Sequence, residues 1–214
     1  MSKAAASKAP TGRVQVDQTG VKSKCVQVTL EGTRDIMFDR YAGDNNTKLE
    51  PHQKMYLSPA DGGHQIILPA LNIMSLLSAH NTNSAPKRLR DSRQFKKSAN
   101  ALLSFYAVRE SSLPFLRDGK PIIFGRFDSS ERDAMSGVYV HRAVARLDKG
   151  IPNPKIRPVL PLPWGLTFSI EITANKEITE QEALNLLEDA GKAIGLGTFR
   201  GVFGKFRVLD WVDL

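Results

Sequence analysis

The chain has 214 residues, 41% of them hydrophobic, which is enough for one domain with a sizeable core. Its formal charge of +8 favours a polyanionic partner, nucleic acid before any other. A lone cysteine excludes an internal disulfide and no apolar run approaches membrane-span length, so composition predicts a cytoplasmic protein with no membrane contact.

Residues 1–20 are small, polar and weakly basic, with no hydrophobic signal core, and are expected to form a disordered basic tail. That leaves 21–214 as a single domain. Alternating apolar and polar residues over 24–30 predict the first strand, followed by the short apolar run Ile36, Met37, Phe38. Asp39 and Asp44 lie in a turn-rich stretch without the closely spaced third carboxylate that a metal would need. His52 and His64 are placed in loops, and no histidine has metal-ligand spacing, so neither metal nor cofactor is expected. A helix is predicted from Pro69, carrying Leu71, Ile73, Met74, Leu76 and Leu77, and ending in the Asn-, Ser- and Pro-bearing loop 80–86.

The most basic stretch follows. Lys87, Arg88, Arg90, Arg93, Lys96 and Lys97 place six cations in eleven residues, against Asp91 alone. A charge run is usually a solvated face, but like charges this dense repel each other unless an anion neutralises them. The segment is therefore read as phosphate-contacting, with Lys87, Arg90 and Lys97 sharing one helical face and Arg93 between them. A short strand is expected over 121–127 and a longer one over 137–147. In the longer strand Val138, Val140, Arg142, Val144 and Arg146 share one side, while Tyr139, His141, Ala143, Ala145 and Leu147 share the other. Neither side is cleanly apolar, so Arg142 is expected to face a ligand. Residues 150–164 hold five prolines and are predicted to form an extended crossing that offers Lys155 and Arg157 to phosphates.

The chain is organised around 166–212, which reads strand, helix, glycine-rich loop, strand. Thr179 and Glu182 have capping-box spacing, and Ala183, Leu187, Ala190 and Ile194 form an apolar stripe. The loop that follows holds Gly195, Gly197, Gly201 and Gly204, with Lys192, Arg200, Lys205 and Arg207 around it. Glycines with free backbone N–H groups and nearby guanidinium groups suit a phosphate chain. Phe199, Phe203 and Phe206 offer stacking faces to unpaired bases. Spacing excludes both familiar nucleotide loops. The third glycine of the first motif comes one residue late for a dinucleotide fingerprint, and Gly204-Lys205 is followed by Phe206, where a P-loop needs Ser or Thr.

Gly-x-Gly-Thr-x-Arg-Gly-x-x-Gly after a strand–helix unit, over 195–204, resembles the glycine-rich loop of the RAMP superfamily. These are the ferredoxin-like (RRM-like) RNA-binding and RNA-processing subunits of CRISPR effector complexes. The resemblance covers about a fifth of the chain, and it implies that Gly195, Gly197, Arg200, Gly201 and Gly204 lie near bound RNA. The chain is short for a backbone subunit, so the resemblance implies a stand-alone relative, such as one carried by a phage or other mobile element.

The expected fold is α+β and ferredoxin-like. Its antiparallel sheet would hold strands near Cys25, Val138, Phe168 and Val208, backed by helices near Leu184 and Leu76, with insertions at about 80–115 and 148–164. The expected function is binding of single-stranded nucleic acid, DNA or RNA, by one copy or by several lined up along a strand. No nucleophile elbow is present and no histidine carries a matching motif, so no catalysis is expected. The alternatives are a RAMP-like endoribonuclease and an interaction protein that mimics or blocks a CRISPR subunit.

Overall fold

The computed structural model describes residues 15–16, 22–44, 46–146 and 152–214. The first elements are β1 (Gln15–Val16), β2 (Lys22–Gly32), β3 (Ile36–Met37), a 3-10 turn at Pro51–Lys54, β4 (Leu57–Ala60) and β5 (Gly63–Pro69). Three helices follow: α1 (Leu71–Ser78), α2 (Ala85–Leu89) and α3 (Phe95–Phe105). Short strands come next: β6 (Tyr106–Val108), β7 (Ser112–Pro114), β8 (Leu116–Arg117), β9 (Lys120–Pro121) and β10 (Ile123–Phe124). The chain closes with β11 (Tyr139–Arg146), β12 (Pro152–Leu160), β13 (Gly165–Thr173), α4 (Glu180–Ala193) and β14 (Phe206–Asp213). The architecture is α+β with antiparallel sheets.

The core sheet runs β14, β2, β13, β6, with every neighbour antiparallel. Helices α1 to α3 lie in sequence between β2 and β6, and α4 joins β13 to β14. Alternation explains the register. Val26, Val28 and Leu30 of β2 and Leu166, Phe168, Ile170 and Ile172 of β13 are buried and share one cluster with Leu76, Leu102, Ala183 and Leu187 of the helices. The opposite face carries Gln27, Thr29, Glu31, Ser169 and Glu171, with Ala107 beside Glu171. Helix α4 starts where the capping box predicts. The Thr179 hydroxyl accepts from the Glu182 N–H, and the Glu182 carboxylate accepts from the Thr179 N–H at 2.8 Å.

Several expectations need correction. The strand at Val138 is not in the core sheet, whose fourth place β6 takes; β11 begins at Tyr139 and pairs with β12 and, through it, β3. The proline-rich crossing is itself a strand. Pro152, Pro154 and Pro158 share one parity in β12, and the carbonyls of that parity point away from β11: Pro158 accepts from the Phe38 N–H and Ile156 from Lys54 Nζ. The imide nitrogens thus fall on the side that β11 does not use, so three prolines cost the ribbon no ladder bond. The segment 87–97 is not one helix, because α2 ends at Leu89 and α3 starts at Phe95. Pro69 closes β5 and does not open α1, and β4 and β5 form a hairpin over 57–69, which puts His64 on a strand and His52 in the 3-10 turn. The proposed tail lies outside the described residues except for Gln15 and Val16, which pair with Ser23 and Lys22.

Candidate nucleic-acid interface

Strand β3 positions the site. It pairs with β12 on one side, and the glycine loop docks on it through Thr198 N–H to Met37 O (2.9 Å) and Gly204 N–H to Asp35 O (2.7 Å). The loop folds on itself through Leu196 N–H to Gly204 O and Gly201 N–H to Ile194 O, while the Gly195 N–H closes the end of α4 on Ala190 O. The expectation that its N–H groups converge on a phosphate therefore needs revision. Those of Gly195, Leu196, Thr198, Gly201 and Gly204 are spent on the fold.

All four loop glycines have positive φ, but two of them answer to different causes. A Cβ on Gly197 would sit 2.5 Å from Met37 O, so glycine there is needed for close approach to β3 as well as for φ +73°. At Gly201 a Cβ would meet open space, so only φ +93° selects glycine. Phe199 also holds positive φ (52°), which is unusual for an aromatic residue. This backbone lifts its ring to 56% exposure.

Phe199 therefore stands between two clefts. One, of about 340 Å³, is lined by Met37, His141, Ala143, Val144, Lys155, Arg157, Thr198 and Phe199. His141 and Ala143 lie directly opposite Arg157 and Lys155 in the ribbon, which puts all four on one face. Phe203 links the loop to the ribbon, its ring 6.0 Å from Phe199 and edge-on to His141 at 5.7 Å. The second cleft, of about 550 Å³, is lined by Asn81, Thr82, Asn83, Gly197, Thr198, Phe199 and Arg200.

The charges differ in their freedom. Arg157 pairs with Asp39 at 2.7 Å, and Lys54 lies 4.0 Å from the same carboxylate, so two cations share one anion. Lys155 has no ion-pair partner among the described residues. Arg200 is half-buried and faces no described acid. Its Nε donates to Gly197 O (3.1 Å) and its Nη1 to Asn83 O (3.0 Å), which straps the glycine loop to the segment before α2. Burial pulls its pKa below the usual arginine value, but a guanidinium stays charged at any physiological pH. The electrostatic demand of an unpaired, partly desolvated cation favours an anion nearby.

Other sequence-selected residues fall elsewhere. Arg142 is on the opposite face of the ribbon from Lys155 and Arg157 and pairs with Glu131, whose carboxyl it holds below the ordinary range. Phe206 is core, 1% exposed, and Phe203 is half-buried, so only Phe199 of the three rings is open for stacking. Lys205 lines neither cleft, and its carbonyl accepts from the N–H groups of Thr33 and Arg34. None of Lys87, Arg88, Arg90, Arg93, Lys96 or Lys97 lines either cleft. Lys87 caps the Phe95 ring at 4.4 Å, and Arg90 reaches Glu182 O at the start of α4, whereas the glycine loop follows its end. Sequence reasoning missed Met37, Thr198, Asn81 and Asn83. The Asn-rich segment was legible as a loop, but nothing in it signalled Arg200 as its partner.

No family model matches the sequence, and no curated protein does. Among solved structures, the chain is similar to a chain of the cryo-EM structure of the Type III-B Cmr-beta bound to cognate target RNA, with a TM-score of 0.52 and 9% identity. The alignment covers 90% of this chain and 61% of that one, so this protein spans about three fifths of its neighbour's length. The likeness is one of fold. No helix among the described residues is long and apolar enough to cross a membrane.

Proposed function

We propose that this chain is a RAMP-like protein with a ferredoxin-like core that binds single-stranded nucleic acid, RNA foremost, and does not cut it. The observation that carries the reading is Phe199. Its ring is raised by a left-handed backbone between two clefts, with unpaired Lys155 on one side and desolvated Arg200 on the other. An exposed aromatic ring beside cations that have no acidic partner among the described residues fits a stacked base and its phosphates.

Two further observations support it. The core elements come in the order β2, the α1–α3 helices, β6, β13, α4 and β14, with β3 to β5 inserted after β2, and their sheet order of fourth, first, third, second supports the ferredoxin-like reading. The neighbouring fold comes from a structure that holds RNA. The mode differs from that of an RRM, which stacks bases on sheet aromatics. Here the open sheet face carries Gln27, Thr29, Glu31, Ser169 and Glu171, and the strand would instead cross the loop and ribbon.

Fluorescence anisotropy with labelled single-stranded RNA, single-stranded DNA and duplex, at two salt concentrations and with EDTA present or absent, tests the proposal. The expected result is intact strands, single strands preferred, and affinity falling with salt. Equal affinity for duplex overturns it, fragments of RNA make the protein a nuclease, and no binding turns attention to a protein partner.

A further inference from the structure

The second cleft has a different chemistry from the first, and the difference bears on sequence preference. Its wall opposite Phe199 is built from Asn81, Thr82 and Asn83, side chains that carry both donors and acceptors. The segment is held in shape. Asn81 Oδ1 accepts from the Asn83 N–H at 3.1 Å, Asn81 O accepts from the Ser84 N–H at 3.2 Å, and Arg200 donates to Asn83 O. These bonds use the Asn83 main chain and leave its side-chain amide exposed, with no hydrogen bond to another described residue. Arg200 makes the wall and the Phe199 platform one unit, because the same guanidinium bonds Gly197 O at the foot of the platform.

A base stacked on Phe199 presents its edge, not its face, to the walls beside the ring. On the ribbon side it would meet the cations Lys155 and Arg157, which suit phosphate. On the other side it would meet carboxamides. Resting on the proposed single-strand binding, we infer that Asn83 reads the edge of the base stacked on Phe199 and that the protein prefers adenine there. A carboxamide offers one donor beside one acceptor, and adenine matches that pair with N7 and the N6 amino group. On the corresponding edge uracil offers only O4, an acceptor with no donor beside it, and its stacking face is smaller.

The test uses the full chain and labelled ten-nucleotide RNA homopolymers of A, U and C, titrated by fluorescence anisotropy at one salt concentration. The parent is expected to bind oligo(A) about tenfold more tightly than oligo(U), the discrimination of one bidentate contact. Asn83→Ala, which keeps the main-chain acceptor for Arg200, is expected to bring oligo(A) to within about twofold of oligo(U) with oligo(U) unchanged. Asn83→Ser provides a second removal of the carboxamide and is expected to behave alike. A parent that binds all three equally overturns the inference and leaves the binding reading standing. A preference that survives both variants also overturns it. A parent that binds none of them overturns the binding reading itself.

Discussion

Two basic regions of this protein invite the same functional reading and are built in opposite ways. The segment 87–97 has the higher charge density, yet its cations are spread over two helices and the break between them, and most of their side chains point to solvent. The loop and ribbon have fewer charges, but there the fold brings Lys155, Arg157 and Arg200 around one exposed ring. The lesson is that charge per residue measures attraction at a distance, while a site needs charge, stacking surface and shape in register. The first region can raise the local concentration of a polyanion. On the proposed reading, the second holds one.

The largest effect that would break this comparison concerns the loop's docking. Gly197→Ala places a Cβ 2.5 Å from Met37 O at φ +73°, and is expected to cost about 3 kcal/mol or more of stability. Gly201→Ala has strain but no clash, and should cost about 1 kcal/mol. Arg93→Ala in the solvated segment should cost less than about 0.5 kcal/mol. Urea unfolding of the three variants reads these differences directly; a Gly197→Ala protein as stable as the parent would mean that the loop is not seated on β3.

Next in size is the stacking platform. Phe199→Ala is expected to weaken oligonucleotide binding by about 1–3 kcal/mol while leaving the melting temperature unchanged, because the ring is mostly exposed. The paired change Lys96→Ala/Lys97→Ala should lose less. If anisotropy shows the reverse ranking, the basic segment is the site and the loop is scaffold.

A smaller and more specific effect belongs to Lys155. Its replacement by alanine should make the slope of log affinity against log salt shallower by about one, the mark of one lost phosphate contact. Arg142→Ala, on the other face of the ribbon and tied to Glu131, should leave the slope unchanged. Equal slopes for the two variants would remove the face distinction on which the cleft depends.

The smallest effect lies at the far end of α4 and serves as a control. Thr179→Ala removes the cap and should cost about 1 kcal/mol without changing affinity. The Thr179 N–H and hydroxyl hold the Glu182 carboxyl below its ordinary pKa. A depressed folded pKa contributes stability above the unfolded carboxylate value and loses it as pH falls through the folded one. The gap between parent and variant should therefore narrow on acidification below about pH 4.3, the unfolded glutamate value. A gap that widens would show that the carboxylate opposes the cap.

Local signals in the sequence determined a good part of this protein. The capping box at Thr179 started α4, alternation fixed which residues of β2 and β13 face the core, and the four glycines marked a loop whose left-handed backbone favours glycine. These signals act within a few residues, so one chain reveals them. What the tertiary structure decided rests on contacts distant in sequence. The residues around Val138 alternate like a core strand, but pairing along their whole length with β12 drew β11 into a separate ribbon, and the short β6 took the fourth place beside β13. Prolines hid β12, because the parity that keeps their missing N–H groups off the ladder is visible only once its partner strand is known. The cleft depends on β3, two residues long, which accepts the ribbon on one side and the glycine loop on the other. Composition named the arginines and phenylalanines, but burial sent Phe206 to the core, strand parity turned Arg142 away, and one guanidinium bond tied the Asn83 main chain to the glycine loop. Each of these is a choice of face or partner, and a face has no meaning until the chain has packed against itself.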